Sequence, residues 1–307
     1  MVKHLLSVQD FSKEEISDIL AKATHFKKQR SKGILSNELK GKTIALIFEK
    51  PSTRTRVSFE TGIHELGGNP LFLSAQELQL SRGETIVDTA KTLSRYVHGL
   101  VARVTSHDYL TELSKHSTVP VINALSPLEH PCQTLADLLT IREKKGKLKG
   151  LEVAWIGDGN NVCNSLMLGC SLMDANFYAA CPRGYAPPAD ILEQARKNAK
   201  TSGGKIEITN NPNEAVTSSD VIYTDVFASM GQEKEREKRM RDFKGFQVNS
   251  KLLARAKKDV IFMHCLPAHR GEEVTNDVID GPSSVVFDQA ENRLHAQKAV
   301  LVHLLSP

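Results

Sequence analysis

Several features are scarce in this sequence of 307 residues, and each scarcity excludes a class of protein. No apolar run approaches the roughly 20 residues that a membrane-spanning helix needs. The five cysteines are odd in number and lack the paired spacing of a disulfide framework, so we expect reduced thiols in a cytoplasmic protein. The amino terminus has no apolar stretch followed by a small-residue cleavage site, so we expect no signal peptide.

Charge of one sign is also scarce. The sequence has 40 Lys and Arg against 36 Asp and Glu, a formal net charge of +4, with the two signs interleaved. This excess is too small to predict a nucleic-acid partner, although a local anion site remains open. Hydrophobic residues make up 40% of the chain, enough for sizeable cores, and the length suits one very large domain or two ordinary ones.

Short apolar segments alternate with longer segments of helical spacing. The ten predicted strands are 43–48, 71–73, 100–104, 119–123, 152–156, 177–181, 205–208, 221–224, 260–263 and 285–287. Apolar strands separated by helices are typical of parallel sheets covered on both faces, so the predicted fold class is α/β. A charged, glycine-bearing stretch at 143–150 predicts two domains, 1–148 and 149–291, with the final helix, about 292–307, packing back on the first.

The segment Ser52-Thr53-Arg54-Thr55-Arg56 follows the first predicted strand. Ser52 is a good N-cap, so the next three residues should form a first helical turn whose backbone N–H groups face outward. These groups, the hydroxyls and the two guanidinium groups suit a tetrahedral anion such as phosphate. The alternative is an ordinary capped helix with exposed arginines.

A second candidate segment runs through His130 and Gln133, between a predicted strand and a helix. Ligands of open α/β sheets bind at this carboxyl-end edge, and Arg103, at the end of another strand, should reach the same edge. Two alternatives remain open: His130 could cap the helix or pack in the core, and Arg103 could be an ordinary surface residue. Cys132 is more typical of a small buried side chain than of a nucleophile.

The glycine turn Gly157-Asp-Gly-Asn160-Asn161 resembles the start of a dinucleotide-binding motif. The third glycine is missing, and no acidic residue ends the next strand, so we do not expect a nicotinamide cofactor. Asn160 and Asn161 suit a polar small molecule instead. After a later strand, Asp225 offers a carboxylate for a cationic amine, or a simple turn cap, and Ser229 begins a hinge-like segment.

The segment His264-Cys265-Leu266-Pro-Ala-His269 ends the next strand. Cys265 beside His264 suits a thiolate nucleophile or, with His269, a metal site, but the spacing is poor for zinc and we expect no metal. The alternating charges at 233–239 predict a solvated helix face or a mobile flap. Arg293, near the start of the last helix, is either a site residue or a surface arginine.

Taken in order, the motifs STRTRVSFE, HPCQ, DVFASMG, MHCLPAHRGEEV and DQAENR resemble those of the transcarbamylase family over nearly the whole chain. Members that use aspartate carry Pro at the position of Cys265, within a Pro-Leu-Pro-Arg pattern, and lack Ser-Met-Gly, so the resemblance favours ornithine as the acceptor. It implies carbamoyl transfer from carbamoyl phosphate to L-ornithine, giving L-citrulline and phosphate, without a cofactor. It also implies two Rossmann-like domains joined by two helices, and a homotrimer with active sites between subunits.

The resemblance also assigns roles to individual residues. It implies that carbamoyl phosphate contacts Ser52, Thr53, Arg54, Thr55, Gln79, Arg103, His130, Gln133, Cys265, Leu266 and Arg293. It implies that ornithine contacts Asn161, Asp225, Ser229 and Met230. The catalytic residues would be Arg103, His130, Asp225 and Cys265, while Gln79 resembles a residue that a neighbouring subunit lends to the phosphate site.

Two other functions compete with this one. A carbamoyltransferase could use putrescine or another amine, which product analysis distinguishes. A non-catalytic carbamoyl phosphate-binding homologue should lack the cysteine or the second-half carboxylate, but Cys265 and Asp225 are both present. We expect no nucleic-acid or membrane partner. The sequence leaves open whether citrulline formation serves arginine synthesis or its reverse serves arginine breakdown, and whether trimers associate further.

Overall fold

A computed structural model describes residues 2–229 and 233–306. The chain divides into two compact units, of which the first takes the residues up to Leu139 and those from Glu291 onward. The second is the continuous segment Thr140–Ala290. The division falls within a helix, several residues before the glycine-bearing stretch that suggested a boundary from the sequence.

The first unit contains a parallel four-stranded sheet with the strand order β2-β1-β3-β4. Its strands are β1 (Thr43–Phe48), β2 (Asn69–Ser74), β3 (Gly99–Arg103) and β4 (Val121–Leu125). The helices that follow in this part of the chain are α1 (Lys13–Arg30), α2 (Thr53–Glu65), α3 (Ile86–Leu93), α4 (His107–His116) and α5 (Pro131–Lys145). Five of the six residues of β1 are buried, and β3 is buried throughout, as expected for a sheet covered on both faces.

The second unit contains a parallel five-stranded sheet with the order β7-β6-β5-β8-β9. Its strands are β5 (Glu152–Ile156), β6 (Asn176–Ala180), β7 (Ile206–Thr209), β8 (Val221–Thr224) and β9 (Ile261–His264). Its helices are α6 (Asn161–Leu172), α7 (Ala189–Ser202), α8 (Pro212–Val216), α9 (Arg236–Asp242), α10 (Ser250–Leu253) and α11 (Asn276–Ile279). The last helix, α12 (Val286–Leu305), begins in this unit and contributes most of its residues to the first.

Strand order determines where each sheet can bind a ligand. In the first sheet the chain moves outward from β1 to β2 and then returns to the other side for β3, so the order reverses between β1 and β3. In the second sheet the same reversal lies between β5 and β8. Crossover helices leave a crevice beyond the carboxyl ends of the strands at such a point, and ligands of open α/β sheets bind there. The residues after β1, β3, β5 and β8 are therefore candidate ligand contacts.

The predicted α/β class with two parallel-sheet domains is confirmed. Strands β1, β5 and β8 have the predicted bounds, and the ends of the others differ from the predicted ones by one or two residues. The predicted strand at 285–287 is wrong: Ser284 forms a single parallel bridge with Phe262, and α12 begins at Val286. Three apolar residues are too few to decide between a strand and a helix start. Among the described helices, none is long and apolar enough to cross a membrane.

Candidate active site

The phosphate-type anion site predicted after β1 has the expected backbone. Ser52 is extended, with φ −159° and ψ 111°, and its side chain accepts a hydrogen bond from the Thr55 N–H at 3.3 Å. Helix α2 therefore begins at Thr53, as predicted, and its first turn presents unpaired N–H groups at the positive end of the helix. Thr55 is buried and Arg54 is half-buried.

Arg56 does not join this site. Its Nε donates to Glu60 Oε1 at 2.9 Å, and its guanidinium lies 3.6 Å from the centroid of the Phe72 ring. The expectation that Arg56 adds a second guanidinium from this segment is therefore wrong. Residues two apart on a helix point to nearly opposite sides, so Arg54 and Arg56 cannot both face one ligand.

Arg103 ends β3 directly beside the end of β1, paired in register with Phe48. The side chain is buried, and its Nε has no hydrogen-bond partner among the described residues. Burial, followed by the charges of Arg293 and Arg54, lowers the pKa of Arg103 to about 10. The surface alternative for Arg103 is excluded, and three guanidinium groups lie close enough to repel one another.

His130 immediately precedes α5 and is also buried. Burial lowers its pKa well below the usual value, and the charges of Arg293, Arg103 and Arg54 add to this effect. The imidazole is therefore neutral near pH 7 and offers one N–H as a hydrogen-bond donor. Cys132 is fully buried, and burial raises the pKa of its thiol to about 12, so it is a packing residue as expected.

Arg293 connects three helices of the first unit. From α12, its Nη1 donates to Gln133 Oε1 on α5 at 2.7 Å, and its Nη2 donates to Thr55 Oγ1 on α2 at 3.3 Å. Arg293 is buried, so the surface alternative is excluded for it as well. The first unit thus combines a helix N-terminus, three guanidinium groups and a neutral histidine, all of them donors for an anion with an adjacent carbonyl group.

Gln79 is not part of this group of donors. It is exposed and begins the 3₁₀ turn Gln79–Arg82, between β2 and α3. Its assignment to the site of a neighbouring subunit stays a prediction.

Asp225 is the centre of the second group of site residues, at the end of β8. Its Oδ2 accepts from Asn160 Nδ2 at 2.8 Å, and its Oδ1 accepts from the Cys265 thiol at 3.1 Å. Asn160 also caps α6, because its Oδ1 accepts from two N–H groups of the first turn. Of the two asparagines expected to read a polar small molecule, Asn160 contacts this carboxylate, and the assignment of Asn161 to ornithine stays a prediction. Asp225 Oδ1 also accepts from the N–H of the next residue, Val226, at 2.8 Å.

Close packing keeps this glycine turn in place. A Cβ atom at Gly159 would lie 2.3 Å from the backbone nitrogen of Pro187, so only glycine fits there. The turn therefore holds Asn160 in a fixed position beside Asp225.

His264 supports the loop that carries Cys265 rather than pairing with the thiol. Its Nδ1 accepts from the Leu266 N–H at 2.9 Å, which places the ring proton on Nε2, where it faces Glu273 Oε1 at 3.1 Å. Glu273 Oε1 also accepts from the His269 N–H at 2.6 Å. His264 and Glu273 are fully buried. No motif in the sequence pointed to Glu273, which lies nine residues after His264.

Within the part of the chain that the structure describes, two groups of side chains have the spacing of metal ligands. One is Asp225, His264 and Cys265, and the other is His269, Glu272 and Glu273; in each, one ligand atom per residue lies within 4.8 Å of the others. Hydrogen bonds account for contacts within both groups. The absence of a metal from the protein's chemistry stays a prediction.

The charged segment after β8 is only partly the solvated face that was expected. Arg239 on α9 is buried, and its Nη1 donates to Asp158 Oδ2 at 2.7 Å and to the Phe227 carbonyl at 3.0 Å. This ion pair fastens α9 to the glycine turn after β5. Ser229 is half-buried, and Met230 lies outside the described residues.

Known proteins resemble the chain along its length. A family model described as the carbamoyl-P binding domain of aspartate/ornithine carbamoyltransferase matches residues 3–143, and one described as its Asp/Orn binding domain matches residues 149–304. The ornithine carbamoyltransferase of Methanosarcina acetivorans is 56% identical over 99% of this chain and 100% of its own length. That of Thermococcus kodakarensis is 57% identical over 97% and 95%. The solved structure of the Pyrococcus furiosus enzyme is 57% identical, covers 97% of this chain and 96% of its own, and has a TM-score of 0.95.

Proposed function

The chain belongs to the aspartate/ornithine carbamoyltransferase family, and on this premise we propose that it transfers the carbamoyl group of carbamoyl phosphate to the side-chain amine of L-ornithine. The products are L-citrulline and phosphate. The observation that carries the proposal is the junction at Arg293, which hydrogen-bonds Thr55 and Gln133 beside Arg103 and His130. Such a set of donors suits a phosphate dianion bonded to a carbonyl group.

In the reaction, the ornithine nitrogen forms a bond to the carbonyl carbon, and the carbon–oxygen bond to phosphate breaks. Phosphate leaves with the electron pair of that bond and takes up the proton that the attacking nitrogen loses as it becomes an amide. The tetrahedral intermediate carries negative charge on the former carbonyl oxygen, so donors must be in place before the attack. We assign this role to Arg103 and His130, and binding of the phosphate to the first turn of α2 with Arg54. Gln133 Oε1 is assigned to the carbamoyl N–H₂ group.

The acceptor amine needs a group that takes its proton. An amine of this kind resembles Lys, with a pKa of about 10.4, and is mostly protonated at neutral pH. We assign the binding of ornithine and the acceptance of this proton to Asp225 and Cys265, whose side chains share a hydrogen bond. Because the Cys265 thiol donates to a carboxylate, it is assigned no covalent role. Capture of a carbamoyl-cysteine during turnover would contradict this assignment.

The choice of ornithine rests on the relatives, which are named ornithine carbamoyltransferases. The test is to supply carbamoyl phosphate with ornithine or putrescine and to separate the products. Citrulline should form at least 100-fold faster than carbamoylputrescine, because putrescine lacks the amino acid group of ornithine and cannot make the contacts that this group makes. A faster reaction with putrescine would replace the proposal by the alternative acceptor, and no product from any amine would support a binding protein.

The proposal extends to the assembly of the protein and its location in the cell. We propose a cytoplasmic homotrimer in which Gln79 completes the site of a neighbouring subunit. Light scattering measures the assembly directly. Mixing inactive Gln79→Ala and Arg103→Ala subunits should restore part of the activity, because some hybrid trimers then contain one intact site. No restoration after subunit exchange would mean that Gln79 acts within its own chain.

A further inference from the structure

Gln297 lies one helical turn after Arg293 on α12 and is fully buried. With its amide oxygen facing Arg293, it accepts from Nη2 at 2.9 Å and from Nε at 3.2 Å, while its amide nitrogen donates to Ser58 Oγ on α2 at 2.6 Å. Residues four apart on a helix share one face, so Gln297 reaches the guanidinium from within the same helix. It thereby joins Arg293 to the helix whose first turn forms the anion site.

Arg293 needs such support because it lies among like charges. Arg54 and Arg293 both lower the pKa of Arg103 electrostatically, so the three guanidinium groups repel one another before an anion is bound. Gln133, Thr55 and Gln297 each contribute an uncharged acceptor to Arg293. An uncharged acceptor fixes a guanidinium without cancelling its charge, which stays available for a dianion.

We propose that Gln297 is a positioning residue that holds the Arg293 guanidinium in the orientation that binds carbamoyl phosphate. The inference deepens the proposed function and rests on it. Gln297 touches Arg293 and Ser58, and acts on the ligand only through Arg293. Its loss should therefore weaken binding of the phosphate-bearing ligand, and this effect should depend on the presence of Arg293.

The test is a double-mutant cycle with Gln297→Leu and Arg293→Ala, in which calorimetry measures the Kd of inorganic phosphate for the purified full-length protein. In the presence of Arg293, we expect Gln297→Leu to raise the Kd about tenfold, the usual scale for a lost hydrogen bond to a charged group. In the Arg293→Ala background the same change should alter the Kd less than twofold. In turnover assays, KM for carbamoyl phosphate should rise more than kcat falls.

Lys298→Met is the matched control, because Lys298 is the next residue of α12 and its Nζ donates to Glu65 Oε2 at 2.8 Å. This variant should lower the unfolding temperature while leaving the Kd of phosphate within twofold. If Gln297→Leu does not fold, Gln297→Met takes its place in the cycle. An unchanged Kd, or an equal increase with and without Arg293, would overturn the inference. A wild-type protein that binds phosphate but makes no citrulline would instead overturn the proposed function.

Discussion

The Nε2 group of Gln133 donates to Oδ1 of the buried Asp137 at 2.9 Å, and this hydrogen bond fixes which end of the Gln133 amide faces Arg293. Because the nitrogen is directed to a carboxylate, the carbonyl oxygen is left to accept from Arg293 Nη1 at 2.7 Å. An amide held in this way offers an acceptor to a ligand. The carbamoyl group differs from an acetyl group of the same shape in carrying N–H donors, so we expect this acceptor to favour carbamoyl phosphate over acetyl phosphate.

The first prediction is that Asp137→Asn lowers kcat/KM for carbamoyl phosphate about tenfold, the scale of a lost charge-assisted hydrogen bond. An asparagine amide can present either end to Gln133, so the orientation of Gln133 is no longer fixed. Steady-state citrulline formation measures the effect.

Thr134→Val is the control for this substitution. Thr134 is buried on the same helix, and its hydroxyl has no hydrogen-bond partner among the described residues. Its replacement should leave kcat/KM within about twofold. Equal effects of the two substitutions would mean that Asp137 acts only through packing.

The second prediction is that Arg103→Ala and His130→Ala each lower kcat by roughly 10² to 10³, as loss of one oxyanion donor typically does. Both residues are buried at the carboxyl edge of the first sheet, where their donors are shielded from water. Single-turnover measurement with saturating substrates separates this loss from weaker binding. Near-normal turnover by either purified variant would remove that residue from the catalytic assignment.

The third prediction concerns pH. Burial and three nearby guanidinium groups hold the pKa of His130 well below its unfolded value of about 6.5. Below pH 6.5 the unfolded chain therefore binds a proton that the folded chain does not, and the free energy of unfolding falls as the pH is lowered. The slope from this one residue is at most about 1.4 kcal/mol per pH unit.

Urea unfolding of the wild type and of His130→Gln between pH 7 and pH 5, without phosphate, isolates this contribution. The stability of the wild type relative to the variant should decline over that interval, because the variant lacks the titrating group. A constant difference would show that folding does not shift the pKa of His130 and would contradict the prediction.

The fourth prediction uses the unequal exposure of the five cysteines. Cys265 is half-buried, while Cys132, Cys163, Cys170 and Cys181 are buried. Brief treatment of the native protein with iodoacetamide should therefore modify Cys265 alone, as peptide mass spectrometry would detect. Norvaline, an unreactive mimic of ornithine, should slow the modification in the presence of carbamoyl phosphate. Asp225→Asn should remove this protection, and protection that survives in the variant would place the amino acid elsewhere.

Local features of the site were predictable from the sequence because they depend on a few neighbouring residues. The Ser52 cap is one example, since a strand, a proline and a hydroxyl residue determine where the helix begins. The positions of Arg103 and Asp225 at strand ends follow equally from the strands themselves. Helical periodicity also predicts that the side chains of Arg54 and Arg56 point to different sides of α2. The expectation that both guanidinium groups join the anion site did not take this into account.

Contacts between distant segments were not predictable in this way. Arg293 and Thr55 are 238 residues apart, so only the resemblance to a family pointed to their common role. His264 and Cys265 are adjacent and suggested a nucleophilic pair, whereas the path of the following loop brings Glu273 to His264. Gln297, Asp137 and Asn160 are polar residues whose roles depend on the side chain opposite, which no local pattern specifies.

The order of the two units along the chain has a consequence for synthesis on the ribosome. The second unit is the continuous segment Thr140–Ala290, whereas the first is completed by residues from Glu291 onward. The second can therefore fold while the first still lacks Arg293, Gln297 and Lys298. Until α12 emerges, Glu65 lacks its Lys298 partner and the nascent phosphate site lacks one of its guanidinium groups. A chain interrupted after Ala290 would thus carry a finished second unit and an unfinished anion site.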